Sequence, residues 1–341
     1  MKKTSIITIA ALAILSALAI YFYKSKGGHS TIDKEASNFA IKDTASIDKI
    51  FLADKEGKSV LLEKTKTGWL LNKTHPVRAD ALGMLLYTMS MLEVKSPVSK
   101  TSLKNVLKIL ASKSTKVEVY SKGDKIKQYY VGHPTQDHLG TYMLLTDVNN
   151  DENYEEPFIT HIPGFNGFLS TRYYTEELDW RDRVVMSFKP PQIKQIKLDL
   201  HELPDSSFVL DLFSMQRFGL KTGKGKQLTF DEGKLKQYIS YFYNINTEVV
   251  LDKKNSLRDS LSKSAIPFAT LTIYDRNEGK SVCEFFHKTS ITEKNKQYGI
   301  DYKYDPDKLF IRYNDGKDYG VAQYYVFGKI LQTYSYFLKR N

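Results

Sequence analysis

The sequence predicts an α+β protein: two tandem repeats of antiparallel sheet with two helices each, after an N-terminal transmembrane helix. Three observations carry this expectation. Short runs of alternating apolar and polar residues are grouped together, not interleaved one by one with helices, which argues for antiparallel sheet. The same order of elements is written twice, beginning Ile47-Asp48-Lys49-Ile50-Phe51-Leu52 and again, 146 residues later, Ile193-Lys194-Gln195-Ile196-Lys197-Leu198. An uncharged run from Ile6 to Tyr23 follows Met1-Lys2-Lys3-Thr4-Ser5.

The N-terminal run comes first in the chain. It lies at the short end of the roughly 17–25 residues that span a bilayer as a helix. Ala17-Leu18-Ala19 offers small residues suited to signal-peptide cleavage. The apolar run continues through Ile20-Tyr21-Phe22-Tyr23 and ends at Lys24 and Lys26, which favours an uncleaved anchor with interfacial tyrosines. No cysteine lies there, so a lipoprotein anchor is excluded. Lysines flank both ends, so charge barely decides orientation; a short N-terminal tail stays inside and leaves the bulk of the chain outside the cytoplasm. Residues 1–30 thus read as signal anchor and flanks, residues 31–45 as a tether, residues 46–187 as the first α+β repeat domain and residues 188–341 as the second.

Within the first repeat, the runs at Ile47–Leu52 and Val60-Leu61-Leu62 flank Asp54-Lys55-Glu56-Gly57, the composition of a hairpin turn. Trp69-Leu70-Leu71 supplies a third strand. Met84, Tyr87, Met91 and Val94 then recur at helical spacing behind Asp80 as N-cap, and Leu103, Leu107 and Leu110 mark a second, shorter helix. Val117 and Val119, then Ile126, Tyr129 and Val131, alternate as strands about Lys122-Gly123-Asp124. The second copy matches at slowly growing offsets: 148 residues at Leu62 and Leu210, 149 at Trp69 and Phe218, 151 from Asp80 and Asp231 to Val98 and Val249, and 154 from Leu103 onward. Small insertions in turns produce such a drift.

Composition narrows the function. The 341 residues are 41% hydrophobic and 13% aromatic, enough for real cores. The net charge of +11 is spread thinly, with no localised basic footprint or motif for nucleic acid. Lysines beside the anchor suit anionic headgroups. The single cysteine, Cys283, sits in an alternating run and reads as a buried hydrophobe. No phosphate-binding loop, nucleophile elbow or zinc-protease motif occurs, so no catalytic residue, metal ligand or cofactor is assigned.

Two segments remain as candidates. The first is Gly132–Tyr142, which the alignment predicts the second copy to lack, since its matching strand runs on through His287-Lys288-Thr289-Ser290. Thr135, Gln136, Asp137, His138 and Tyr142 are its candidate binding or structural residues. Metal binding by His133, Asp137, His138 and His161 lacks the spacing of a zinc motif. Acid–base use of His138 needs an orienting carboxylate from elsewhere. A structural loop needs least: Gly132 and Gly140 permit positive φ, Pro134 stiffens the chain, and Asp137 or Thr135 bonds local amides. The second segment is Arg172 with Asp179-Trp180-Arg181-Asp182-Arg183. Arginine forks suit carboxylates, phosphates or sugar acids, and equally an ion-pair network locking the junction of two domains, the role its position favours.

Tyr129-Tyr130-Val131-Gly132, Pro134 through Met143, His161-Ile162-Pro163-Gly164-Phe165 and Asp179 through Arg183 together resemble the DUF4340 domain family of bacterial proteins, found in Bacteroidota. The resemblance covers most of the chain from about Ile47. It implies an envelope protein with an N-terminal membrane segment, and a weak association with ABC-type transport linked to gliding motility. It implies no reaction. Where the family pattern leads one to expect a second glycine before Pro134, this chain has His133. The combined expectation is a single-pass protein of the bacterial inner membrane, its bulk in the periplasm, acting as a non-enzymatic binding or assembly module with a protein partner, accessory to a transport complex. The alternative is an envelope hydrolase or carbohydrate-active enzyme using Gly132–Tyr142 and Asp179–Arg183.

Overall fold

The computed structural model describes residue 16 and residues 34–252, 254–289 and 303–339. The fold is α+β, with two large antiparallel sheets that each carry a few helices. The chain divides into two compact units, Met1–Asp179 and Trp180–Asn341. Residues 188–341 mark the second domain in the sequence reading; the structural division falls earlier because the Trp180–Met186 stretch is built into the second unit, with Met186 paired to Ile245. Apart from Ser16, the Ile6–Tyr23 segment lies outside the described residues, as do tether residues 31–33. Among the described residues no helix is long and apolar enough to cross a membrane.

The first unit contains β1 (Ile47–Ala53), β2 (Ser59–Thr65), β3 (Gly68–Leu71), β4 (His75–Pro76), helix α1 (Ala79–Met91), β5 (Glu93–Pro97), helix α2 (Lys100–Lys113), β6 (Thr115–Ser121), β7 (Asp124–Pro134), β8 (Thr141–Asp147), β9 (Glu152–Asn153) and β10 (Phe158–His161). The one-turn helix α3 (Glu177–Trp180) spans the division. The second unit contains β11 (Val184–Met186), β12 (Ile193–Leu200), β13 (Phe208–Ser214), β14 (Arg217–Thr222), β15 (Gln227–Leu228), helix α4 (Glu232–Ser240), β16 (Ile245–Asn246), β17 (Val249–Val250), helix α5 (Ser256–Lys263), β18 (Ala269–Asp275), β19 (Lys280–Thr289), β20 (Tyr304–Tyr313), β21 (Asp318–Gln323) and the one-turn α6 (Tyr324–Phe327).

Strand order in the first sheet is β4-β3-β2-β1-β6-β7-β8-β10-β5, with β9 on β8; in the second it is β15-β14-β13-β12-β18-β19-β20-β21-β17. Replacing each strand by its counterpart turns one order into the other. Registers agree as well. Ile50 faces Leu62 and Val119, and Ile196 faces Leu210 and Ile273. A bulge interrupts β1 against β6 between Ile47 and Lys49, and β12 against β18 between Ile193 and Gln195. Such bulges re-aim the end of a strand, so their recurrence at matched positions is informative.

The local chemistry of the turns is plain. Asp54 Oδ1 accepts from the amides of Glu56 and Lys58 at 2.9 Å, and Gly57 takes φ 89°. Lys122 and Gly123, both at positive φ, form the two-residue turn between Ser121 and Asp124. Inward residues are fully buried: Ile50, Leu52, Val60, Leu62, Val117, Val119 and Tyr129 in the first unit, Ile196, Leu198, Phe208, Leu210, Leu271, Ile273 and Cys283 in the second. Phe208, Tyr238 and Phe337 pack edge-on within the second core, with ring centroids 5.0–5.9 Å apart.

The helix register differs from the expectation. Asp80 does not cap α1; Arg78 precedes the helix, and Asp80 lies in its first turn, 2.8 Å from the Arg78 guanidinium. Asp231 does cap α4, accepting from Gly233 and Lys234 amides. The buried residues of α1 are Ala81, Leu82, Leu85, Thr88 and Met89, whereas Met84 and Tyr87 are 49% and 52% exposed. Matching the buried stripes pairs Leu82, Leu85, Met89 and Leu92 with Leu235, Tyr238, Phe242 and Ile245, an offset of 153 instead of 151. Strand pairing agrees: Pro97 faces Phe158 and Ser96 faces Ile159, while Val250 faces Gly320 and Val249 faces Val321.

Candidate functional site

The first candidate segment bridges β7 and β8. Gly132 and Gly140 are not at positive φ; they are needed for close approach. A Cβ on Gly132 would sit 2.6 Å from a Leu110 methyl, and one on Gly140 2.5 Å from Ile159 Cγ2. The left-handed residue of the loop is His138, with φ 57°. The turn closes on itself: Thr135 N donates to Gly140 O at 2.9 Å and His138 N to Thr135 O at 3.0 Å. The Thr135 hydroxyl donates to Asp137 Oδ1, which also accepts from Leu139 N at 3.0 Å. These two bonds favour the charged form and hold the Asp137 carboxyl below its usual range, the hydroxyl contributing most.

Thr135 is therefore buried and Asp137 is exposed but engaged with the loop's own donors. Gln136 and His138 are exposed, and the His138 ring lies 5.7 Å from Phe168. Tyr142 is half-buried, its ring 4.8 Å from His133. Burial lowers the pKa of His133, whose buried Nδ1 has no hydrogen-bond partner among the described residues. Among the described residues no three His, Cys, Asp or Glu side chains gather as a metal site.

The second segment is equally absorbed by the fold. Arg172 donates to the Thr88 hydroxyl at 2.9 Å and lies 4.3 Å over the Phe165 ring. Trp180 is fully buried. Arg181 and Asp318, 6% and 8% exposed, form an ion pair inside the second unit, and Asn314 donates to the other Asp318 oxygen at 2.8 Å. The expected junction lock is thus, for Arg181, an internal pairing that fastens the entering chain to β21. Asp182 accepts from Val184 N at 3.1 Å, and the Arg183 carbonyl accepts from Thr247 N at 2.9 Å.

The contrast between copies at Gly132–Tyr142 also changes. The first unit joins β7 to β8 through residues 135–140, and the second joins β19 to β20 through residues 290–303, a longer connection that falls largely outside the described residues. The second unit does not lack this connection; it carries the larger one. Sequence reading also missed a pair there. His287, matched to His133 by the offset of 154, stacks between Phe268 and Tyr304 at 4.2 and 3.8 Å, and its Nε2 lies 3.1 Å from Glu202. Carrying the offset two residues past Phe285 would have found it.

Among the exposed apolar side chains outside these segments, one group lies on α1. Met84, Tyr87 and the half-buried Met91 occupy one outward stripe beside Gly83, where a Cβ would meet open space. The matched positions on the second unit are Gln237, Ser240 and Asn244, all exposed and polar. A search among known proteins returns no matching family model, no similar curated protein and no similar solved structure.

Proposed function

We propose that this chain is a membrane-anchored, non-enzymatic binding or assembly module of the bacterial envelope, built by tandem duplication of one α+β unit and held by Ile6–Tyr23 in the inner membrane with its bulk in the periplasm. A protein partner in the envelope, in a transport complex, completes the reading, as does membership of the DUF4340 domain family. The observation that carries the proposal is the engagement of the candidate polar groups: Asp137 is bonded by Thr135 and Leu139, and Arg181 by Asp318, so both serve the frame. The equal strand orders and recurring bulge support duplication. The apolar stripe on α1 supports contact as the mode of action, since it has no counterpart on α4.

The experiment is recovery of the tagged full chain from crosslinked native membranes at native abundance. A reproducible stoichiometric envelope partner is expected, retained when Asp137→Asn and His138→Ala are introduced together. Recovery of the chain alone, or loss of the partner in the loop variant, contradicts this reading.

A further inference from the structure

We propose that the outward face of α1, formed by Met84, Tyr87 and Met91, rests in the interface of the lipid bilayer that holds the anchor. This rests on the reading of Ile6–Tyr23 as a membrane anchor and names the surface the anchor brings to the membrane.

The chain enters the first unit at this helix. Ala36, Phe39 and Ile41 are buried, Ile41 N donates to Met89 O at 2.9 Å, and Lys42 Nζ donates to Ser90 O at 3.0 Å. The exposed stripe therefore begins within about two turns of the point where the tether is tied down. Between Tyr23 and Lys34 lie ten residues, which reach at most about 36 Å when fully extended. A leash this short keeps the entry end of the unit close to the bilayer surface.

The chemistry of the face suits that surface. Tyrosine and methionine side chains offer an apolar body, and tyrosine a polar tip, the combination that settles at headgroup depth. Charge around the face is mixed, with Lys42 exposed beside Asp43 and Glu93 at one helix end and Asp80 paired with Arg78 at the other, so the apolar and aromatic side chains carry the contact. The second unit supplies the internal control. The same face of α4 presents Gln237 and Ser240, Asn244 follows in the turn after it, and no tether enters there. Apolar character thus appears on the helix next to the leash and not on its counterpart.

The test uses site-directed fluorescence in the full chain. The native thiol, Cys283, is fully buried, so a cysteine introduced at an exposed position takes the label. Met84→Cys, Tyr87→Cys and Gln237→Cys chains, each carrying bimane, are reconstituted in vesicles of phosphatidylethanolamine and phosphatidylglycerol with nitroxide-bearing lipid. Quenching at positions 84 and 87 at least twofold above that at 237 is expected. Equal lipid quenching at all three sites overturns the proposal. Protection of positions 84 and 87 from both lipid nitroxide and aqueous iodide also overturns it, in favour of a protein occupant. Alkaline carbonate extraction of the same vesicles reads the anchor separately: a chain that is extracted refutes the anchor, whereas a retained chain with unquenched position 84 refutes the docking face alone.

Discussion

In the first unit α1 buries Leu82, Leu85 and Met89 and leaves Met84 and Tyr87 in the open. In the second, α4 and the turn after it bury Leu235, Tyr238 and Phe242 and leave Gln237 and Ser240 outside. The frames behind these helices agree in strand order and register, even to a bulge. Residues that make the frame are constrained by packing in both units; residues on the outer faces are not. The difference between the two helices therefore lies where packing does not dictate the residue.

The largest expected effect breaks the frame on one side only. Arg181→Leu leaves Asp318 charged and buried in the second unit, and removing one partner of a buried ion pair costs about 3–5 kcal/mol. Urea unfolding followed at probes in each unit should show the second unit's transition moving to lower denaturant; an unchanged midpoint there would show the pair to be dispensable. Next comes the helix register. Leu85→Ala should destabilise by about 2–5 kcal/mol and Met84→Ala or Tyr87→Ala by less than about 0.5 kcal/mol. The reverse ranking would restore the stripe that the sequence suggests. Smaller and opposite in sign, Gly83→Ala should stabilise by up to about 1 kcal/mol, because a mid-helix glycine gains from a Cβ that meets open space. Destabilisation in the purified chain would mean that something already lies against Gly83.

The smallest effect sharpens the loop comparison. The folded Asp137 carboxyl is held below its ordinary value, so its contribution is present above the unfolded carboxylate range and is lost as pH falls through the lowered folded value. The protection factor of the Leu139 amide, taken against its intrinsic exchange rate at each pH, should fall on acidification through that window and stay constant in Asp137→Asn. Protection that persists at low pH would show that the turn holds without the carboxylate.

Much of the frame was legible in the sequence because strands with one buried face alternate strictly, and because Lys122-Gly123 and Asp54–Gly57 announce their turns. The helix face was not. Between Ala81 and Met91 apolar residues occur on both sides of the helix, so Met84-Tyr87-Met91 and Leu82-Leu85-Met89 satisfy helical spacing equally well. Burial in the fold decides which stripe faces in, and the pairing of Pro97 with Phe158 and of Val250 with Gly320 agrees with the offset it implies. The loop between β7 and β8 was recognisable as a turn rich in Gly, Pro and Asp, but its glycines serve contacts with Leu110 and Ile159, which are far away in sequence. The Arg181 partner, Asp318, lies 137 residues downstream and no local pattern points to it.

The central claim is that α1 faces its core with one apolar stripe and its surroundings with another. Two methionines on the helix report both directly, Met84 from the outer stripe and Met89 from the inner. The decisive measurement is the relative oxidation rate of these two side chains in the folded full chain in detergent, read by peptide mass spectrometry under limiting hydrogen peroxide. Met84 should oxidise well before Met89. Oxidation of Met89 ahead of Met84 would contradict the account.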